Sequence, residues 1–231
     1  MPDVLLAHYS ERLVQLRRLP AYIHRPGQLS GAMDREHLGL SPGQHLYLCP
    51  QNLRKVHPDF DPLLAGLLRC DPLGVAVLVD AGQSAVTAAL HQRLQAGMPD
   101  VIDRVRFLPQ LAYQDYLRLL AAADVALDTL HFGGGITTYE ALAVGLPIVT
   151  LPGAFNRGRY VHAAYQQAGL DEGIAADPED YIKRAVRFAS ETDYRAAFGR
   201  RLHEASAELF EDRVAVREFE DFLEAAAVAG E

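Results

Sequence analysis

From residue 44 onward, short aliphatic runs alternate with one-faced helical patterns, and that alternation leaves few folds open to the chain. Strands covered on both faces read as near-continuous apolar runs, and a helix between successive strands makes the sheet parallel. The runs predict strands over His45–Cys49, Val75–Asp80, Val105–Leu108, Val125–Asp128 and Pro147–Leu151, with a further short one over Gly173–Ala176. Between them, Phe60, Leu63, Leu64, Leu67 and Leu68 recur at helical spacing, as do Tyr113, Tyr116, Leu117 and Leu120. Residues 82–97, Ile136–Val144 and Tyr160–Gln167 add helices, the last two stopped by Gly145 with Pro147 and by Gly169. The expected class is α/β, a parallel sheet flanked by helices.

After Ala176 the strand pattern stops. Pro178–Ser190, Asp193–Phe210 and Arg213–Ala229 read as three consecutive amphipathic helices. Asp177 suits the N-cap of the first, with Pro178 where its missing N–H has no consequence. Val216, Phe219 and Leu223 are the expected buried stripe of the last. These helices carry the acidity of a protein with net charge −8, on faces that read as solvated. The first forty residues do not join the rhythm. Pro2, Pro20, Pro26, Gly27, Gly31, Pro42 and Gly43 interrupt them, and Leu13, Val14, Leu16 and Leu19 cluster with no evident partner, as in a linker.

Thirty acidic residues against 22 basic ones lack the footprint of a nucleic-acid binder, so no nucleic-acid partner is expected. The start, Met1 to His8, has no basic region followed by an apolar run, and longer apolar stretches are broken by residues such as Arg69, Asp71 and Asp80. Neither secretion nor membrane association is expected. Cys49 and Cys70, in apolar company, are expected to be buried, inert thiols of a reduced, cytoplasmic protein. At 231 residues the chain can bury one large core but is too short for two full nucleotide-binding halves.

Chemistry concentrates in residues 128–149, Asp-Thr-Leu-His-Phe-Gly-Gly-Gly-Ile-Thr-Thr-Tyr-Glu-Ala-Leu-Ala-Val-Gly-Leu-Pro-Ile-Val. A strand runs into Gly133, Gly134 and Gly135 and then into a helix opening near Ile136 or Thr137. Glycines allow close backbone approach, and the free N–H groups of a helix start favour a phosphate. The pattern is neither a Walker loop nor the dinucleotide fingerprint, and on the glycines alone a structural turn stays open. Glu140, one turn into the helix among the core-like Ala141, Leu142 and Val144, could accept hydrogen bonds from two vicinal ribose hydroxyls.

The stretch Gly-Gly-x-Thr-Thr-x-Glu-Ala-Leu-x-x-Gly-x-Pro-x-Val resembles the donor-site signature of glycosyltransferases with the GT-B fold, in which two Rossmann-like halves close over a nucleotide sugar. His131-Phe-Gly-Gly-Gly, Ala123-Asp-Val-Ala-Leu-Asp-Thr and Leu151-Pro-Gly narrow the resemblance to the O-GlcNAc transferase and SPINDLY-like family, whose bacterial members often follow tetratricopeptide repeats. It covers roughly residues 8–225 but only the C-terminal half of such an enzyme. His8-Tyr-Ser-Glu-Arg-Leu-Val is similar to the stretch that leaves the N-terminal half. The resemblance implies a Rossmann-like, nucleotide-sugar-binding domain over 41–190, C-terminal helices packed on it over 191–231, and over 1–40 a linker or trailing edge of a missing half.

Carried over by position, the resemblance implies a diphosphate at Gly133, Gly134, Gly135, Ile136, Thr137 and Thr138, with Glu140 on the ribose. The segment Cys49-Pro-Gln-Asn-Leu-Arg-Lys-Val-His-Pro is similar to the family's loop after a strand, which makes Lys55 the diphosphate cation, the expected catalytic group, and Asn52 its companion. A positioned cation there stabilises charge that develops on the leaving phosphate. Leu111 would pair its backbone with the base and Tyr116 stack on it, although Tyr116 is equally a core aromatic at helical spacing. His131 and Arg159 match family positions near the site. No metal is expected, since the other histidines lack metal-ligand spacing, and no cofactor besides the nucleotide-sugar substrate.

The function implied is donor binding for a nucleotide-sugar-dependent glycosyltransferase, UDP-GlcNAc-like and acting on protein. The acceptor protein or peptide would be held by a missing N-terminal half or repeat array, so the isolated chain is expected to bind nucleotide weakly and turn over little. A UDP-sugar epimerase of GT-B fold and a non-catalytic nucleotide-binding regulatory module are the alternatives.

Overall fold

The computed structural model describes residues 9–27, 29–80 and 82–229. Pro2, His8 and the rest of the start lie outside the described residues. Five parallel strands, β1 (His45–Cys49), β2 (Gly74–Val79), β3 (Val105–Leu108), β4 (Val125–Leu127) and β5 (Ile148–Val149), form one sheet in the order β3-β2-β1-β4-β5. Leu46 pairs with Val75 on one side of β1, and Leu48 with Ala126 on the other. The chain runs outward from β1 to β3, then crosses back to β4 and continues to β5. That reversal opens a crevice beyond the C-terminal ends of β1 and β4, the place where open α/β sheets bind ligands.

The helices are α1 (Asp61–Cys70), α2 (Ser84–Gly97), α3 (Tyr113–Ala122), α4 (Ile136–Ala143), α5 (Tyr160–Gln167), α6 (Pro178–Ser190), α7 (Thr192–Ala205) and α8 (Arg213–Ala229). Right-handed crossovers place α1 and α2 on one face of the sheet and α3 and α4 on the other. The helix after Ala176 opens as its sequence indicates: Asp177 accepts from the Asp180 N–H at 2.8 Å, and Pro178 follows the cap. This α6 lies beside α1 against β1, β4 and β5. Its fully buried Tyr181 meets Phe60 edge-on, and the Tyr181 hydroxyl donates to the Asp128 carbonyl at 2.9 Å.

At the opposite end of β4, the buried Asp124 gathers three elements. It accepts from the Leu46 N–H at 2.7 Å and pairs with Arg35 at 2.8 Å and Arg195 at 2.9 Å. Such a carboxylate is tolerable in the interior because every charge-bearing oxygen has a partner. Through Arg35, and through the core residues Leu38 and Leu40, the chain before β1 is packed onto the domain.

Several local expectations are corrected. The strand predicted over Gly173–Ala176 is a single parallel bridge, Thr150 to Ile174, and Pro147–Leu151 narrows to two residues. At the bridge the edge is already occupied by Tyr165, whose buried hydroxyl accepts from the Ile148 N–H at 2.7 Å and donates to the Ile148 carbonyl at 2.9 Å, where a sixth strand would pair. The helix predicted over 193–210 ends at Ala205 and tightens into a 3₁₀ turn, Ser206–Leu209. Val216, Phe219 and Leu223 are exposed, not buried; among the described side chains of α8, Ala215 is the buried one. Along the exposed part runs the N-terminal segment, whose Arg17 and Arg18 N–H groups donate to Glu218 at 2.7 and 3.0 Å. Tyr9, Leu13, Val14 and Leu16 line a shallow hollow with Phe219 and Phe222, so the apolar cluster of the first forty residues has a neighbour after all. Cys49 is buried, which pushes its thiol up to about 12, but Cys70 is exposed at the end of α1.

Removing the Tyr165 hydroxyl strands both polar groups of Ile148 in the interior. Tyr165→Phe is expected to lower the unfolding free energy by about 2 kcal/mol, read from urea denaturation, because unpaired buried backbone groups keep their full desolvation penalty.

Candidate functional site

Two loops meet at the crevice, one after β1 and one after β4. The first turns tightly through Pro50 into a 3₁₀ turn, Leu53–Lys55, which aims Lys55 at the second. The Lys55 ammonium donates to the Gly133 carbonyl at 3.0 Å and to Gln51 Oε1 at 3.3 Å, and it lies 4.4 Å from the centre of the Phe132 ring. Gln51, itself buried, donates from Nε2 to Thr137 Oγ1 at 2.9 Å. One amide side chain thus joins the lysine to the first turn of α4. Burial lowers the pKa of Lys55, and the Asp128 carboxylate opposes that shift.

The glycine segment needs its glycines for space. A Cβ on Gly134 would lie 2.6 Å from Thr138 Oγ1 and 2.7 Å from Gln51 Nε2, and one on Gly133 would lie 2.8 Å from Asp128. Gly135 caps α4, and its Cα faces open space. Ile136 is exposed, Thr137 half-buried, and Thr138 buried with a hydroxyl that has no hydrogen-bond partner. The segment is anchored from below by Asp128, which accepts from the Gly134 N–H at 2.8 Å and from the Thr150 hydroxyl at 2.7 Å. From behind, the Arg157 carbonyl accepts from the Gly133 N–H at 2.8 Å.

Glu140 is half-buried on α4, facing the hydroxyls of Tyr113 and Tyr116 on α3. Burial raises its pKa, and the two tyrosines hold it down. The Tyr116 ring packs on the core, and its buried hydroxyl interacts with Glu140 without a hydrogen bond of normal geometry. Leu111, in the loop between β3 and α3, is half-buried against the same core. Lys55, Gly133, Gly134, Gly135, Ile136, Thr137 and Thr138 are therefore brought together, with Glu140 one turn further along α4.

Three other expected residues have their side chains committed elsewhere. Asn52 is exposed and caps its own turn, accepting from the Arg54 N–H at 3.0 Å, while its neighbour Gln51 occupies the place beside Lys55. Arg159 donates to the Gly153 carbonyl at 2.9 Å and braces its own loop. His131, exposed and in the left-handed region at φ 67°, contacts Asp59 at 2.7 Å. Sequence reasoning named neither Gln51 nor Asp128 as a site residue. The signal available for Asp128 was its place at the end of a strand that runs into glycines.

Asp128 is 3% exposed, and burial pushes its carboxyl from 3.8 up to about 6 against the pull of Thr150, the Gly134 N–H and Lys55. A carboxyl raised in the folded state binds protons more readily there than when unfolded, so its contribution to stability grows as pH falls through about 6. Between pH ~7 and ~5 the wild type should gain about 1 kcal/mol of unfolding free energy relative to Asp128→Asn, measured by urea denaturation at both pH values.

Residues 31–219 match the family described as glycosyl transferase family 41. The probable UDP-N-acetylglucosamine–peptide N-acetylglucosaminyltransferase SPINDLY of Solanum lycopersicum is 30% identical over 89 residues, 38% of this chain and 10% of that protein. The UDP-N-acetylglucosamine–peptide N-acetylglucosaminyltransferase of Caenorhabditis elegans is 29% identical over 122 residues, 52% of this chain and 11% of that protein. A mutant O-GlcNAc transferase from Thermobaculum terrenum superimposes with a TM-score of 0.79 at 28% identity, over 93% of this chain and 41% of that one. Anabaena HepE in complex with UDP and glucose shares the fold, with a TM-score of 0.59 at 18% identity. The chain thus spans about a tenth of the curated relatives' length and under half of the solved transferase. Its Rossmann-like sheet and its motifs are those of the C-terminal half of a GT-B transferase, and the chain belongs to glycosyl transferase family 41.

Proposed function

We propose that this chain is the donor-binding half of a nucleotide-sugar-dependent glycosyltransferase that modifies protein, with a UDP-linked N-acetylhexosamine as donor. The observation that carries the reading is the Lys55 ammonium, fixed against Gly133 and, through Gln51, against Thr137 at the opening of α4. A diphosphate lying on Gly133–Thr138 meets a cation and the positive end of a helix together. As the bond from the anomeric carbon to the distal phosphate oxygen breaks, the charge left on that oxygen falls beside the ammonium. Glu140, half-buried beyond the first turn, takes the ribose hydroxyls, and the Leu111 backbone and the Tyr116 ring take the base.

The acceptor belongs to a part of the enzyme beyond this chain, an upstream half with tetratricopeptide repeats. The share of the relatives that the chain spans supports this division. A cytoplasmic location goes with it: among the described residues no helix is long and apolar enough to cross a membrane, and the two thiols are free. The family match weighs against an epimerase or a module without activity.

Calorimetry with UDP and UDP-GlcNAc tests the reading. Both should bind the 231-residue chain. Lys55→Ala should weaken UDP by about tenfold or more, roughly 1.4 kcal/mol, while sparing uridine. Glu140→Ala should weaken uridine and UDP alike, with each variant's melting temperature reporting that it folds. No binding, or binding indifferent to both substitutions, would sink the proposal.

A further inference from the structure

A second constellation lies at the same end of the sheet and takes no part in the donor contacts above. His57 and Asp59 follow Lys55 in the loop after β1, and His131 precedes the glycines in the loop after β4. Asp59 Oδ2 is 2.7 Å from His131 Nε2 and 3.4 Å from His57 Nδ1, and the three potential ligand atoms all lie within 4.8 Å of one another. The imidazole rings stand edge-on, with centroids 4.6 Å apart at 82°. We propose that His57, Asp59 and His131 form a binding site for a zinc-like divalent cation at the mouth of the crevice.

The donor set favours that class of ion. Two neutral imidazoles and one carboxylate suit borderline first-row metals, and three protein ligands leave a coordination position for water or an incoming oxygen. Bonds of about 2.0–2.2 Å place tetrahedral ligands roughly 3.3–3.5 Å apart, a spread the three atoms reach by side-chain rotation. Asp59 supplies the anionic ligand, its Oδ2 facing a ring nitrogen of each histidine. His57 Nδ1 presently accepts from the Asp59 N–H at a long 3.2 Å, a weak contact that a metal bond replaces.

The backbone points the same way. His131 holds a left-handed conformation, at φ 67°, that a non-glycine residue adopts at a cost of about 1 kcal/mol. That turn brings its ring to Asp59, while the Phe132 ring that follows covers Lys55. The site stands beside the lysine and does not replace it: the proposed transfer still draws its charge stabilisation from Lys55. The sequence hides the cluster because its histidines are far apart in the chain and meet only across the β1–β4 switch point.

The test is titration of the nucleotide-free chain with Zn2+ by calorimetry and with Co2+ by visible absorption, which intensifies on four-coordination. One equivalent should bind. His57→Ala and His131→Asn should each weaken it by at least the ~10-fold that losing even an outer-shell partner costs a metal site. Asparagine tolerates the left-handed backbone at 131, so that variant removes the ligand without adding strain. His91→Ala and Cys70→Ser should leave the affinity unchanged. Absence of saturable binding, or a stoichiometric ion that survives both His57→Ala and His131→Asn, would overturn the site. Because no nucleotide is present, neither result depends on whether UDP binds.

Discussion

The buried carboxylate of Asp128 is the constraint on which the crevice depends. Its side chain holds the Gly134 N–H and the Thr150 hydroxyl, its backbone N–H donates to the Val149 carbonyl, and its own carbonyl accepts from Tyr181. The glycine segment, β5 and α6 are thereby referred to a single residue at the end of β4. An ion in this position is unfavourable by itself, as the upward push on its proton affinity shows, and Lys55 offsets its charge across the glycines. The arrangement gives up stability to fix the position of a loop, as strained or desolvated groups at functional sites commonly do.

Lys55 and the opening of α4 form one unit through Gln51. A cation on a flexible stem is a poor electrostatic device until its reach is fixed, because the loss of rotamer freedom on ligand binding offsets what it gains. Here the ammonium already has two acceptors and an aromatic ring around it. Under the proposed function, an arriving phosphate would exchange with the Gly133 carbonyl and Gln51, and would not have to capture a free side chain. Preorganisation of this kind suits the stabilisation of a leaving group.

The framework was legible because periodicity reports which face is buried. β1, β3, α5, α6 and α8 have the bounds their patterns indicate, and α4 ends one residue short of the expected Val144. What failed was whatever the pattern could not see from one element alone. The apolar stripe of α8 reads as buried, yet it meets the N-terminal segment and solvent in place of the sheet. The bridge at Ile174 looked like a strand because nothing local announces that Tyr165 has already filled the edge. In the site, the glycines, Lys55 and Glu140 stood out by residue type and motif. Gln51 and the histidine–aspartate cluster did not, since their meaning lies in contacts between residues 72 to 86 positions apart, which spacing arguments do not reach.

The phenol at the sheet edge also bears on association. On β5 the outward-facing polar groups are those of Ile148 and Thr150; Tyr165 occupies the first pair, and Gly173 and Ala175 the second. An open edge strand is a template that any extended segment, from a neighbouring molecule or from the same chain while folding, can copy. With these bonds already made, the β5 side of the sheet offers an incoming strand nothing to pair with, so the fold closes itself against fibre-like growth there without a protecting strand.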